Sequence, residues 1–279
     1  MTGLKGKNRM RIYQPLRGVG AAYKENSFIV FDDAGVEIGQ GGLEVRVLKK
    51  MYEERPLDIE MIMDSHPAAS DTLYGALIAR AEQLKEENDN LPARLYTRCA
   101  LNNKEKYDYF LKMGFDDRDG EELFVRRIDP NPEQRRNYPP TGTKCEDADL
   151  HTRARREEFL QRLKSLGDEP HAEEWLADRM RFPVFCAKVV LYSSEVAGAL
   201  LITGSNQEAE IHMIGVEPKW RSKGVGAAMI DEALQQLKEQ KIPYLVVRVQ
   251  RRNQRMLRLL KRCQFEWIRT EELLLGRDL

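Results

Sequence analysis

Ile211-His-Met-Ile-Gly-Val216-Glu-Pro218-Lys-Trp-Arg221-Ser-Lys-Gly224-Val-Gly226-Ala-Ala-Met-Ile230 decides how this chain is read. It runs from an apolar strand through a glycine-bearing turn into an amphipathic helix. Apolar residues at Val225, Met229, Ile230, Ala233, Leu234 and Leu237 recur at helical spacing, so the helix begins at the glycines and continues to about Gln240. The first amides of such a helix have no partner within it, and the helix dipole adds partial positive charge there. Gly224 and Gly226 remove side chains where an anion would approach, and Arg221 supplies a full charge. The turn is suited to a pyrophosphate.

A glycine pair after a strand also opens dinucleotide-binding folds, but the context differs. That motif wants a third small residue where Met229 stands, and an acidic residue where Gln250-Arg251-Arg252 follow the next strand. Too few residues follow Gly226 for a doubly wound sheet. Downstream come an apolar strand, Tyr244-Leu-Val-Val-Arg-Val249, and the helix Asn253-x-x-Met256-x-x-Leu259-Leu260-x-Arg262-x-x-Phe265.

The last of these patterns has a counterpart in the first half, Asn103-x-x-Lys106-x-x-Tyr109-Phe110-x-Lys112-x-Gly114-Phe115. Asn103 and Asn253 lie 150 apart, as do Phe115 and Phe265. Upstream, Ile59 to Met63, Pro67 and a helix over 72–85 parallel Ile211 to Ile214, Pro218 and the helix from Gly224. A spacing kept over several markers predicts a duplicated domain. Counted from the prolines, Ser70, Leu73 and Gly75 fall where the second copy has Arg221, Gly224 and Gly226, so the first copy is expected to have lost its anion turn. The predicted organisation is a degenerate domain over 1–130, a proline-rich linker over 131–147 and a domain carrying the turn over 148–279.

Strands are expected over 27–32, 36–41, 43–49 and 57–63 in the first copy, broken by glycine turns, and over 184–192, 195–203 and 208–216 in the second. Two charged helices, 150–165 and 171–180, open the second copy. The fold class is mixed α/β, with two mostly antiparallel sheets flanked by helices.

Charge is balanced, with 45 basic and 45 acidic residues, which weighs against a nucleic-acid partner. One basic stripe, Arg248, Arg251, Arg252, Arg255, Arg258, Lys261 and Arg262, reads mainly as a solvated face with one or two members reaching a bound phosphate. Cys99, Cys145, Cys186 and Cys263 have no metal-ligand or paired spacing. No metal is expected, and no apolar run approaches membrane-spanning length, so the expected location is cytoplasmic, without membrane partners.

The pattern Val216-x-Pro218-x-x-Arg221-x-x-Gly224-x-Gly226, with the helix from Asn253 to Phe265, resembles the coenzyme A loop and following helix of the GNAT acetyltransferase superfamily. Two positions depart from the family: Leu260 stands where it usually has Tyr, and Gln264 where it has Gly. The resemblance implies two tandem GNAT-like domains and an N-acetyltransferase with acetyl-CoA as co-substrate, acting on a small-molecule or protein amine. It implies that strands 208–216 and 244–249 splay around the coenzyme, with Ile214 and Val216 on its pantetheine arm. Arg221, Ser222, Lys223, Gly224, Val225 and Gly226 then hold its pyrophosphate, with Asn253 beside them. An amine near pKa ~10.4 needs a base before it can attack a thioester. Glu210 and His212, two apart on a strand, are the candidates. Glu210 comes first because Ala209-Glu210-Ile211 matches the family's glutamate branch, and the expectation has Ile211 and Met213 together facing the core. A non-catalytic acyl-CoA sensor is the alternative, motivated by Leu260, and a homodimer is compatible with either.

Overall fold

The computed structural model describes residues 10–129, 137–167, 171–193 and 195–279. The chain folds as two compact units, Met1–Asp119 with Glu272–Leu279, and Gly120–Glu271. Among the described residues no helix is long and apolar enough to cross a membrane. The proline-rich residues 130–136, the N-terminal 1–9 and Pro170 lie outside the described residues.

In the first unit β1 (Arg11–Tyr13), β2 (Ser27–Phe31), β3 (Glu37–Val47) and β4 (Leu57–Ser65) pair antiparallel in order, and β5 (Ala93–Ala100) pairs parallel to β4. Helix α1 (Pro67–Glu86) is the parallel crossover, and its Ala69, Leu73, Leu77, Ala81 and Leu84 are buried on the sheet at helical spacing. Helix α2 (Lys104–Lys112) follows β5 and adds Phe110 to the same core. The expected glycine break between 41 and 43 does not occur, and β3 runs through Gly39, Gly41 and Gly42 as one strand. Those glycines serve close packing: a Cβ on Gly41 would stand 2.9 Å from Leu77, and one on Gly42 2.8 Å from Ala22. Helix α1 also begins five residues before the expected position.

The second unit holds β7 (Thr143–Asp147), α3 (Arg153–Gly167), α4 (Glu173–Arg179), β8 (Val184–Tyr192), β9 (Glu195–Gly204), β10 (Ala209–Val216), α5 (Val225–Glu239), β11 (Tyr244–Gln250) and α6 (Gln254–Arg262). Strands β7 to β10 are successively antiparallel, and β11 is parallel to β10. Helices α5 and α6 cover one face of this sheet, with Val225, Met229, Ile230, Ala233, Leu237 and Leu260 in the core. Helices α3 and α4 cover the other through Phe159, Leu160, Leu163, Leu166 and Leu176.

Each unit is completed by a strand from the other half of the sequence. β6 (Asp116–Arg127) pairs antiparallel with β11 from Tyr244↔Arg127 to Gln250↔Glu121, and β12 (Glu266–Asp278) pairs with β5 from Glu272↔Ala100 to Asp278↔Arg94. The divisions between units therefore fall after residues 119 and 271, away from the proline-rich stretch, whose end forms β7.

The duplication is visible atom by atom. Asn103 caps α2 by accepting from Lys106 N at 3.0 Å, and Asn253 caps α6 by accepting from Met256 N at 3.1 Å. Each nine-residue helix ends before a left-handed residue, Gly114 at φ 81° and Gln264 at φ 58°. Gln264 thus holds a conformation that its glycine counterpart reaches without strain.

Candidate functional site

Strand β10 is the centre of the site, and one irregularity governs it. Glu210 opposes Thr203 and Ile211 opposes Ile202, but Met213 opposes Leu201, so His212 is an inserted residue in a β-bulge. Ile211 lies in the core under α5 and α6, whereas Met213 packs with the α3 and α4 core. The expectation that both face one side is corrected, because the bulge reverses alternation. Glu210 and His212 nevertheless share the α3 and α4 side: Glu210 opposes Thr203, whose hydroxyl lies 2.6 Å from His212 Nε2.

Pairing between β10 and β11 consists of Ala209↔Leu245 and Glu210↔Val246 only. Both strands continue beyond, β10 to Val216 and β11 to Gln250, without further pairing to each other. The sheet opens there, and His212 sits at the start of the opening. Backbone groups along that edge no longer serve the ladder and can meet a ligand.

Beyond the opening the chain makes a single 3-10 turn, Pro218–Trp220, and enters α5 with Gly224 at φ 92° as its N-cap. No side chain caps this end, and no acidic residue stands in its first turn. The leading amides therefore point outward unclaimed by a cap. A Cβ on Gly224 would meet only Arg262 Nη2, at 3.7 Å, so the approach to the helix end is open and flanked by a cation. Arg262 was one of seven in the basic stripe, and only the fold singles it out. Gly226 has a different reason: a Cβ there would lie 3.1 Å from Leu259, so its smallness admits α6 against α5.

The other predicted loop residues occupy definite places. Arg221 Nε donates to Val216 O at 3.2 Å, which folds the guanidinium back toward β10. Ser222 is exposed and left-handed at φ 61°, and exposed Lys223 lies over the Trp220 ring at 4.9 Å. Val225 is buried at the helix start, while Ile214 and Val216 pack against the α5 core. Asn253 has its side-chain oxygen engaged in capping α6. Leu260 is fully buried. Cys263 is buried beside it in sequence, its thiol pushed up to about 12 by burial and so protonated at neutral pH.

Charge on the α3 and α4 side is arranged in pairs. Glu210 Oε1 accepts from Arg248 at 2.7 Å, and Arg248 also donates to Glu271 at 2.7 Å; these bonds push its pKa further up. On the opposite face, where Glu122 stands across from Val249, Arg251 is held by Glu122 at 2.6 Å. Part of the basic stripe is thereby accounted for by internal carboxylates. His212 is half-buried, and burial first, then Arg179, Arg248 and His171, holds its pKa down against the opposing pull of Glu210. Sequence reading missed a cluster on α4. The His171 ring stacks on Trp175 at 4.0 Å, Arg179 Cζ lies 3.8 Å from the Trp175 centroid, and His212 meets the ring edge-on at 6.5 Å.

The first unit has no comparable turn. β4 ends at Ser65 and α1 starts at Pro67, capped by the His66 ring accepting from Ala68 N at 3.3 Å. The expected counterparts Ser70, Leu73 and Gly75 lie inside α1, with Leu73 buried. The Glu–Arg pair does recur, Arg98 Nε donating to Glu60 at 2.9 Å, each residue 150 before its counterpart. There it is locked with Tyr96, whose hydroxyl donates to Glu60 at 2.8 Å, and with Arg46.

Residues 149–265 match the model of the Acetyltransferase (GNAT) family. This segment is a GNAT-family domain. A GCN5-related N-acetyltransferase from Sphaerobacter thermophilus superposes with a TM-score of 0.52 at 14% identity, covering 93% of this chain and 82% of that one. A conserved protein of unknown function from Enterococcus faecalis V583 gives 0.54 at 9%, covering 90% of this chain and 61% of that one. At such identities the likeness shows the GNAT fold. A tandem GNAT protein from the clavulanic acid biosynthesis pathway gives 0.46 at 14%, covering 91% and 82%. No curated protein matches the sequence at a significant level.

Proposed function

We propose that the protein is an acetyl-CoA-dependent N-acetyltransferase whose site lies in the Gly120–Glu271 unit, the first unit being accessory. One observation carries this reading: the β10/β11 pair opens directly before an uncapped α5 whose first residue is preceded by left-handed Gly224. The opening suits an extended acyl-pantetheine arm, and the helix end with Arg262 and Lys223 suits its phosphates. When bound, acetyl-CoA supplies an acyl group on a thioester, which an amine attacks without a covalent enzyme intermediate.

We place His212 ahead of Glu210 as the base. The Glu210–Arg248 pair recurs as Glu60–Arg98 in a unit with no anion turn, which marks it as sheet architecture. His212 stands at the opening, and burial keeps it neutral near pH 7. In the tautomer whose Nε2–H is donated to the Thr203 hydroxyl, Nδ1 is left to take the proton from the acceptor ammonium. Glu210 then sets the local potential. Leu260 offers no proton to a leaving thiolate, and a thiol of pKa ~8.5 departs tolerably without one.

Calorimetric titration with acetyl-CoA tests the reading, with one site per chain expected. No binding, or two sites, would sink it, as would full affinity in Arg221→Glu/Gly224→Asp. The buried Leu260 keeps a second reading in view, an acyl-CoA-binding sensor. Thiol release on a panel of amines separates the two, since a sensor binds the coenzyme without turnover.

A further inference from the structure

The α4 cluster has a feature that the proposed acyl transfer does not use. Arg179 and His171 both lie within stacking distance of Trp175, and at 3.8 and 4.0 Å they cannot share one face of the ring. The guanidinium is thus clamped on an indole whose opposite face is already filled. Among the described residues its one hydrogen bond is a long contact of 3.4 Å from Nη1 to Trp175 O. Its Nε is buried and meets no acceptor. Among the described residues no carboxylate forms an ion pair with Arg179, whereas Arg248, which acts on the same His212, holds Glu210 and Glu271. A rigid arginine without an ion-paired carboxylate, on the face where Arg248 is neutralised by two, is an incomplete recognition element.

The position defines what would complete it. Trp175 touches both Arg179 and His212, so the guanidinium and the proposed base lie within reach of one small molecule. On the reading of this site as an acyltransferase, we infer that the acceptor carries a carboxylate close to its reactive amine, and that Arg179 binds this carboxylate while His212 receives the amine proton. A monoanion is favoured over a phosphate because, among the described residues of this cluster, Arg179 is the one guanidinium outside a carboxylate ion pair, and a dianion would be left half neutralised. Proton and charge balance follow: the ammonium gives one proton to His212, the freed amine forms the C–N bond as the thioester C–S bond breaks, its second proton goes to the departing coenzyme A thiolate, and the carboxylate stays ionised throughout. His171 and Trp175 act as positioning residues that hold the guanidinium in place.

The test uses matched pairs that differ only by the α-carboxylate: lysine and cadaverine, ornithine and putrescine, phenylalanine and phenethylamine. Each is titrated calorimetrically into the coenzyme A-saturated protein, so the readout does not require turnover. In at least one pair the carboxylated member is expected to bind tenfold or more tighter, the scale of a charge-assisted bidentate contact. Arg179→Gln should abolish that preference, and Arg179→Lys, which keeps the charge and loses the fork, should retain part of it. Acetyl-CoA affinity should stay within twofold in both, which also reports that the unit is folded. Equal binding within every pair, or a preference that survives Arg179→Gln, would overturn the inference. A carboxylate preference without thiol release removes the enzyme reading and leaves standing only the binding of the carboxylate by Arg179. Thiol release from amines with no carboxylate preference does the reverse.

Discussion

Leu275 lies far along the sequence yet belongs to the core of the first unit, fully buried beside Leu95, Cys99, Phe110 and Phe115. Truncation to alanine removes three methylene-sized groups from a closed site on β12, in a stretch paired with β5 through Thr97. Buried Leu→Ala changes cost about 2–5 kcal/mol, which corresponds to a loss of roughly 30- to 5,000-fold in amide protection where exchange requires the unit to open. Hydrogen exchange of Leu275→Ala should therefore deprotect β5 and α2, while β9 and the β10/β11 pair keep their rates. Phe124, on β6, packs against the core of the second unit. Phe124→Ala should give the mirror result, at the lower end of the range because Phe124 is only partly buried. Protection lost from 209–216 and 244–249 in Leu275→Ala, with β5 untouched, would refute the strand exchange.

Replacing Gln264 by Gly should raise stability by up to about 1 kcal/mol, as left-handed backbone at φ 58° is costly for a residue with a Cβ; a lowered urea midpoint would contradict this. Gly224→Ala, at φ 92°, should lose about 1–2 kcal/mol for the same reason and weaken acetyl-CoA binding, both measurable on one preparation. Burial depresses the His212 pKa below its usual value near 6.5, so the unfolded chain takes up the proton first as pH falls. The stability it contributes is present above pH 6.5 and declines as pH drops through its folded value, and His212→Asn should flatten that slope in urea melts between pH 7 and 5. Glu210→Gln should lower turnover more than acetyl-CoA affinity, because it alters the field at His212 without touching the turn; a large loss of coenzyme binding would argue otherwise.

Local pattern made much of this legible. Helical spacing from Val225 to Leu237 and the apolar run of β11 gave the crossover, and Asn103 and Asn253 gave the duplication and both caps, since these depend on near neighbours in sequence. What stayed hidden depends on distant partners. Nothing in β6 or β12 announces which copy it completes, because antiparallel pairing is satisfied equally by either β5 or β11. The Gly41–Gly42 break was misread because the close approach of α1 and Ala22, invisible in sequence, made glycine useful inside a strand. Trp175 and Arg179 looked like an ordinary charged amphipathic helix until stacking with His171 placed them beside β10. Arg262 was one cation among seven, and only the packing of α6 against α5 brought it to Gly224.

The bulge at His212 fixes the parity of everything that follows it on β10. Deleting one residue there would keep strand count, helix count and composition while exchanging the two surfaces: Met213 and Gly215 would turn toward α5, and Ile214 and Val216 toward α3. Gly215 shows how little room that leaves, for a Cβ at its position would already stand 2.5 Å from Leu166. A branched side chain turned to that side would drive α3 off the sheet. This strand can therefore accept substitutions far more readily than a change in length, and the face it offers to a ligand is set by counting residues as much as by choosing them.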